Sequence, residues 1–229
     1  MLLTSKKNRH KESMNDLDLT YIFDDFSLQK HDSDKLKREV RRFYKKENFS
    51  VIFGERKHMD DFICESIERD IYALKDFFGV NVFLELLPFL NNDTTIKKPV
   101  SFSELVNKEE FNKKNSGFSD CILRYIEMGK DFLENDIDVF VFNDHQGNVW
   151  DQNKRMYERI LNFDEGLNNK IMVFVLGLKH LVGYRSFQKL INKKYPSIVY
   201  IKDDPRMIPP LKEVCSVKKD RETLEYKIN

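Results

Sequence analysis

The sequence predicts an α/β domain: a mainly parallel β-sheet with helices on both faces and an irregular insertion after the second strand. Five short apolar runs recur along the chain, each nearly continuous rather than alternating, which is the pattern of strands buried on both faces. Between them lie longer segments with apolar residues at helical spacing. A length of 229 residues with 41% hydrophobic and 13% aromatic content suffices for one such domain with a sizeable core.

Residues 1–33 are polar and charged and read as a loosely ordered leader, with "LTYIFDDF" docked on the domain. The α/β domain is expected over 34–205, followed by a polar C-terminal tail over 206–229. It opens with "SDKLKREVRRFYKK", a helix capped by Ser33 or Asp34 and carrying Leu36, Val40, Phe43 and Tyr44 on one stripe. "FSVIFG" is the first strand. "MDDFICESIERDIYALKDFFG" is a helix with Phe62, Ile63, Ile67, Ile71, Leu74 and Phe78 on one face, Asp60 and Asp61 in its first turn, and Gly79 as its stop. "VNVFLELL" is the second strand. Residues 88–117, with Pro88, Asn91, Asn92, Asp93 and Pro99, form the insertion and hold one short helix. The remaining order is helix ("FSDCILRYIEMGKDFL"), strand ("IDVFVFND"), helix ("DQNKRMYERILNF", capped by Asp151), strand ("KIMVFVLG"), helix ("GYRSFQKLINKKY") and strand ("PSIVYIKDD").

Composition removes several function classes. A formal net charge of +1 gives no overall pull toward nucleic acid or anionic membrane, despite 34% charged residues. The basic face of the helix over 34–46 reads first as solvated and second as a surface for an acidic protein partner. Three cysteines, Cys64, Cys121 and Cys215, are too few and too widely spaced for a disulfide framework or a zinc ribbon. No apolar run reaches membrane-spanning length, and the first residues lack the apolar core of a signal peptide. A cytoplasmic protein is expected, or one secreted without a cleaved signal.

Right-handed crossovers bring every strand C-terminus of such a sheet to one edge, where ligands bind. The residues at or just past the strand ends are Glu55 and His58, then Glu85, then Asp144 and His145, then Gly177 to His180, then Asp203 and Asp204. Three of the five histidines fall in this set; His10 and His31 lie in the leader. Asp144, Asp203 and Asp204 fit turn formation or helix capping better than they fit chemistry, and His145 in "NDHQGN" fits an exposed turn just as well. Glu85 is different. Inside "VFLELLPFL" an ionised carboxylate is buried at a cost of several kcal/mol unless it is paired. Its partner is either an arginine such as Arg69, in a structural role, or a histidine of a site, His58 or His180. His58, His180 and Glu85 also have the donor types of a zinc site, although their long intervals match no local metal motif. No Gly-x-Ser-x-Gly elbow, Walker loop or dinucleotide fingerprint is present.

"VIFGERKH", followed by an amphipathic helix and then "NVFLELLPF", resembles the erythromycin esterase, ChaN and TraB superfamily. Gly54, Glu55 and His58 match its Gly-Glu-x-x-His element, and Glu85 matches the second Glu in type and interval. "KIMVFVLGLKHLVGYRSFQKLI" is similar to the late Gly-x-x-His-Leu-x-Gly strand of the TraB-like branch, through Gly177, His180, Leu181 and Gly183. Asn153 and Met156 match the Arg-Asp/Asn-x-x-Met segment, in which Gln152 stands where the family has Arg, with Arg155 nearby.

The resemblance implies a site of two Glu and two His at the C-terminal edge of the sheet. In the esterase branch the first-motif His acts as base toward water, in the TIKI branch the corresponding residues serve metal-dependent peptide hydrolysis, and ChaN binds haem. The expectation is therefore a hydrolase of an ester or amide, small-molecule or peptide, with no cofactor or with a divalent metal. His58 would be the base, Glu55 its orienting partner and Glu85 the support of His180. Arg69 or Arg155 would stabilise developing charge, with Asn153, Asp144 and His145 lining the site. The alternative is a non-catalytic or toxin/effector-like module that keeps the fold and binds a ligand, haem or a host protein.

Overall fold

The computed structural model describes residues 21–23, 36–38, 40–41, 49–56, 60–86, 97–107, 120–142, 147–163, 170–183 and 185–202. They form a seven-stranded sheet with helices on both faces. In chain order the elements are β1 (Tyr21–Phe23), β2 (Ser50–Glu55), α1 (Asp61–Lys75), β3 (Gly79–Leu84), β4 (Val100–Ser101), α2 (Phe102–Val106), α3 (Asp120–Glu134), β5 (Asp138–Val141), α4 (Val149–Leu161), β6 (Lys170–Gly177), α5 (Phe187–Ile191) and β7 (Ser197–Lys202). The sheet order is β1-β7-β2-β6-β3-β5-β4. Every pairing is parallel except the short β4, which runs antiparallel to β5.

All five predicted strands are present. β2 and β6 at the centre are buried along nearly their whole length, which is why their sequences are continuous apolar runs and not alternating ones. The insertion holds β4 and α2, and Tyr21–Phe23 of the leader add a parallel edge strand beside β7. Residues 36–38 and 40–41 of the predicted first helix are helical; its caps at Ser33 or Asp34 lie outside the described residues.

Two boundaries differ from the sequence reading. Gly79 opens β3 and does not stop α1, which ends at Lys75. The last carbonyls of α1 are taken by the turn itself, Asp76 N–H bonding to Tyr72 and Phe78 N–H to Leu74. The N-cap of α4 is Asn148 and not Asp151, because the Asn148 Oδ1 accepts from the N–H groups of Trp150 and Asp151, each at 3.0 Å. Asp151 then sits in the first turn, where its charge complements the helix dipole.

The two sheet faces are built differently. Under α1 and α3 the core is mostly aliphatic, including Val51, Ile63, Ile67, Ile71, Val82, Leu84, Val173 and Val175. Under α4 and α5 it is a phenylalanine stack. Phe83 lies 5.0 Å from Phe174, 5.3 Å from Phe140 and 5.3 Å from Phe163, ring centre to ring centre, and Phe174 lies 5.2 Å from Phe187.

Candidate functional site

The strand ends bring polar groups to both faces. Val51 and Phe53 of β2 face α1 and α3, while Ile52 faces α4 and α5, so alternation puts Glu55 on the α1/α3 side. By the same rule Glu85, following Leu84, points to the α4/α5 side. The Glu85 N–H still bonds to the Val175 carbonyl at 3.0 Å, which carries the ladder one residue past β3. With β6 between them, Glu55 and Glu85 stand two strand spacings apart, about 10 Å. Gly177 touches both: it is the register partner of Glu55, and its N–H donates to Glu85 Oε2 at 2.7 Å.

On the α4/α5 side, Glu85, His180 and Asn153 are each 0% exposed. His180 lies in the short 3₁₀ turn that follows β6. Its Nε2 is 3.0 Å from Glu85 Oε1, and its Nδ1 is 2.7 Å from Asn153 Oδ1. The Asn153 amide nitrogen donates to the carbonyls of His180 (3.3 Å) and Arg185 (3.0 Å). That fixes the amide orientation: its oxygen faces the ring, so Nδ1 is the donor. A hydrogen bond between Nε2 and Glu85 then needs one further proton, on the ring or on the carboxyl. The pair therefore shares a proton. Lys179 Nζ, half exposed, comes within 3.4 Å of the same Glu85 oxygen.

The loop carrying His180 is seated by Gly54. A Cβ on Gly54 would fall 2.3 Å from Leu181 Cδ1 and 3.0 Å from Ile201 Cδ1. The glycine ahead of Glu55 thus serves close approach, letting the residue after His180 lie flat on β2.

On the α1/α3 side, Glu55 Oε2 accepts a hydrogen bond from the Tyr125 hydroxyl of α3, and Glu55 is 1% exposed. Burial first, and then the Glu55 charge, push the Tyr125 phenol well above its ordinary range. Cys64 beside them is pushed up by the same two causes in the same order, which makes it an inert core thiol. Next to Glu55 in register is Lys202, the last residue of β7 and 3% exposed. Its Nζ lies 2.6 Å from Asp70 Oδ2 and 3.2 Å from Ser66 Oγ, both on α1, and 5.3 Å from the centre of the Phe53 ring.

Of the residues expected at the edge, Glu55, Glu85, His180 and Asn153 are there. His58, Asp144, His145, Asp203 and Asp204 lie outside the described residues. Arg155 is half-buried on α4; its guanidinium comes 3.9 Å from where a Cβ on Gly147 would lie. Arg69 is misplaced by the sequence reading. It is exposed on the outer side of α1, across the sheet from the Glu85 side chain, because the buried stripe runs through Ile63, Ile67, Asp70, Ile71 and Leu74. His180, Lys179 and the Gly177 N–H meet Glu85 instead.

Sequence reasoning did not find Tyr125, Lys202, Asp70 and Ser66. For a metal, no three His, Cys, Asp or Glu side chains are grouped suitably among the described residues. Both ring nitrogens of His180 face protein partners. No described helix is long and apolar enough to cross a membrane.

No protein-family model and no curated protein matches the chain. Solved structures similar to it include two from toxin proteins. One is titled "Crystal structure of bacterial protein toxins", at 13% identity and a TM-score of 0.42, covering 68% of this chain and 34% of that one. The other is RRSP, a MARTX toxin effector domain from Vibrio vulnificus CMCP6, at 13% identity and a TM-score of 0.37, covering 58% of this chain and 28% of that one. This chain therefore matches about a third of the length of each.

Proposed function

We propose that the C-terminal edge of the sheet is a hydrolytic site acting on an ester or amide, of the kind found in the erythromycin esterase, ChaN and TraB superfamily. One observation carries this reading: a carboxylate, an imidazole and an amide, all fully buried, are hydrogen-bonded in series at the sheet edge where α/β proteins bind ligands. A buried polar network of this kind adds little to stability over an apolar core, which favours a role in orienting chemistry.

In this reading His180 is the central member of a frame and holds one proton shared with Glu85. His58, three residues beyond Glu55, is the base toward water. Glu55, held by the Tyr125 hydroxyl, orients it. Lys179 and Arg155 supply positive charge for the oxyanion that develops on the substrate carbonyl.

The test is hydrolysis of a panel of fluorogenic esters and peptides by the wild type, Glu55→Gln, His58→Ala and Glu85→Gln. Turnover by the wild type that falls at least about a hundredfold in His58→Ala is expected, the usual worth of a positioned base. Turnover that survives all three changes removes the assignment.

A second reading has its own observation. Glu55, Glu85 and His180 are all at most 1% exposed, which suits a frame that shapes a binding surface without reacting. A toxin- or effector-like binding module would show ligand binding with no turnover anywhere in the panel.

A further inference from the structure

Three large hydrophobic residues are exposed among those described: Phe77, Trp150 and Val182. Phe77 is faced by cations, Lys37 Nζ 4.9 Å and the Arg41 guanidinium 4.3 Å from its ring centre. The other two are close in sequence to members of the buried Glu85–His180–Asn153 unit. Trp150, 53% exposed, is one turn before Asn153 on the same face of α4. Val182, 39% exposed, follows His180 by two residues.

Gly183 joins them. Its backbone has a φ of +90°, and its Cβ position lies 3.8 Å from Trp150 Nε1, ordinary contact distance, so the loop after Val182 rests against one edge of the indole. Asn153 fixes the platform from below, since the same amide that holds the His180 carbonyl holds that of Arg185. Arg185 is an exposed cation on the same loop, and Lys179, half exposed and paired with Glu85 at 3.4 Å, lies at its start. The neighbouring acid, Asp151, accepts from the Asn148 side chain at 2.8 Å.

We propose that Trp150 and Val182, flanked by Lys179 and Arg185, are a docking surface for a polypeptide segment carrying an apolar side chain next to Asp or Glu. An exposed tryptophan with an arginine on the adjoining loop is the composition of a protein-recognition hot spot. The charge complement of Lys179 and Arg185 selects an acidic partner. A small ligand is disfavoured here, because it is normally held by enclosing most of its surface, whereas this indole stands half out in solvent. The inference names a substrate class for the proposed hydrolytic edge and rests on that reading for its purpose, but the docking itself is measured without turnover.

A phage-displayed library of random twelve-residue peptides, panned over the full chain, tests it. Enriched sequences should pair an apolar residue with Asp or Glu. The corresponding synthetic peptides should shift the fluorescence of Trp150, the one tryptophan of the chain. Trp150→Ala, read by the fluorescence anisotropy of a labelled peptide because the variant has no tryptophan, should weaken them roughly thirtyfold, as for a truncated hot-spot aromatic, and Arg185→Glu should weaken them as well. Both residues are exposed, so neither change removes a core side chain.

Absence of enrichment, enrichment of basic sequences, or binding indifferent to Trp150→Ala overturns the proposal. So does a Trp150 response to phosphatidylglycerol vesicles alone, which would make the surface a membrane contact. Peptide binding with no turnover of any ester or peptide in the panel sinks only the hydrolase reading, whereas turnover with peptide binding indifferent to Trp150→Ala and Arg185→Glu sinks only the docking surface.

Discussion

The two faces of the sheet end in polar units of opposite design. On the phenylalanine face, Glu85, His180 and Asn153 form one continuous series in which each member's role is set by the next. On the aliphatic face the polar groups come as two units side by side, Glu55 with Tyr125 and Lys202 with Asp70 and Ser66. A series transmits a change at one end to the other, whereas separate pairs fail one at a time. The first suits positioning a proton. The second suits holding charges at a fixed place beside it.

The largest effect should come from breaking a pair on the aliphatic face. Lys202→Met leaves Asp70 as a buried acid without its cation and should cost about 3–5 kcal/mol of unfolding free energy in denaturant titration. Lys202→Met combined with Asp70→Leu should recover most of that loss, since a buried ion pair replaced by apolar side chains is often neutral. A double variant as unstable as the single one would show that Lys202 does more than pair with Asp70.

On the other face, Asn153→Ala strips at once the acceptor facing His180 Nδ1 and the donor to the carbonyls of His180 and Arg185. A loss of about 2–3 kcal/mol is expected, together with faster amide exchange through residues 178–185, because the amide also ties down that loop. Exchange confined to α4 would contradict the linkage.

Gly54→Ala probes the contact that seats the His180 loop on β2, on the phenylalanine face. The methyl meets Leu181, and overpacking of this kind costs about 1–3 kcal/mol. Leu181→Ala in the same chain should restore part of it.

The smallest effect is alkaline. Cys64 and Tyr125 have their folded-state values raised by burial, from ordinary values of 9.0 and 10.0. Raised values mean that the unfolded chain loses its protons first. Stability is then intact below about pH 9 and falls as pH rises, by up to about 1.4 kcal/mol per pH unit for each group. Cys64→Ala should remove the part of the decline that begins near pH 9 and leave the Tyr125 part. An unchanged alkaline profile would place the decline elsewhere.

The two faces also differ in how far the sequence discloses them. Glu85 announces itself as an acid inside an apolar run, and His180 follows a strand that ends in glycine, so topology alone brings them to one edge. Asn153 entered through a motif resemblance. The aliphatic face hides its unit in ordinary patterns. Tyr125 reads as one more aromatic on the stripe of "FSDCILRYIEMGKDFL", Asp70 as a helix charge, and Lys202 as the polar exit of "PSIVYIKDD". Only the register of Glu55 with Lys202 shows that they meet, and register between strands nearly 150 residues apart leaves no local signature. Arg69 failed for a related reason: one position along a helix turns a side chain by about 100°, which is enough to carry it from the core to solvent.

The most direct test of the series on the phenylalanine face is ¹⁵N NMR of the His180 ring at neutral pH. The hydrogen bonds require a protonated Nδ1 donating to Asn153 and a proton shared between Nε2 and Glu85, a pattern that Asn153→Asp and Glu85→Gln should each disturb at its own nitrogen. A ring with a bare Nδ1 and the proton fixed on Nε2, unchanged in both variants, would contradict it.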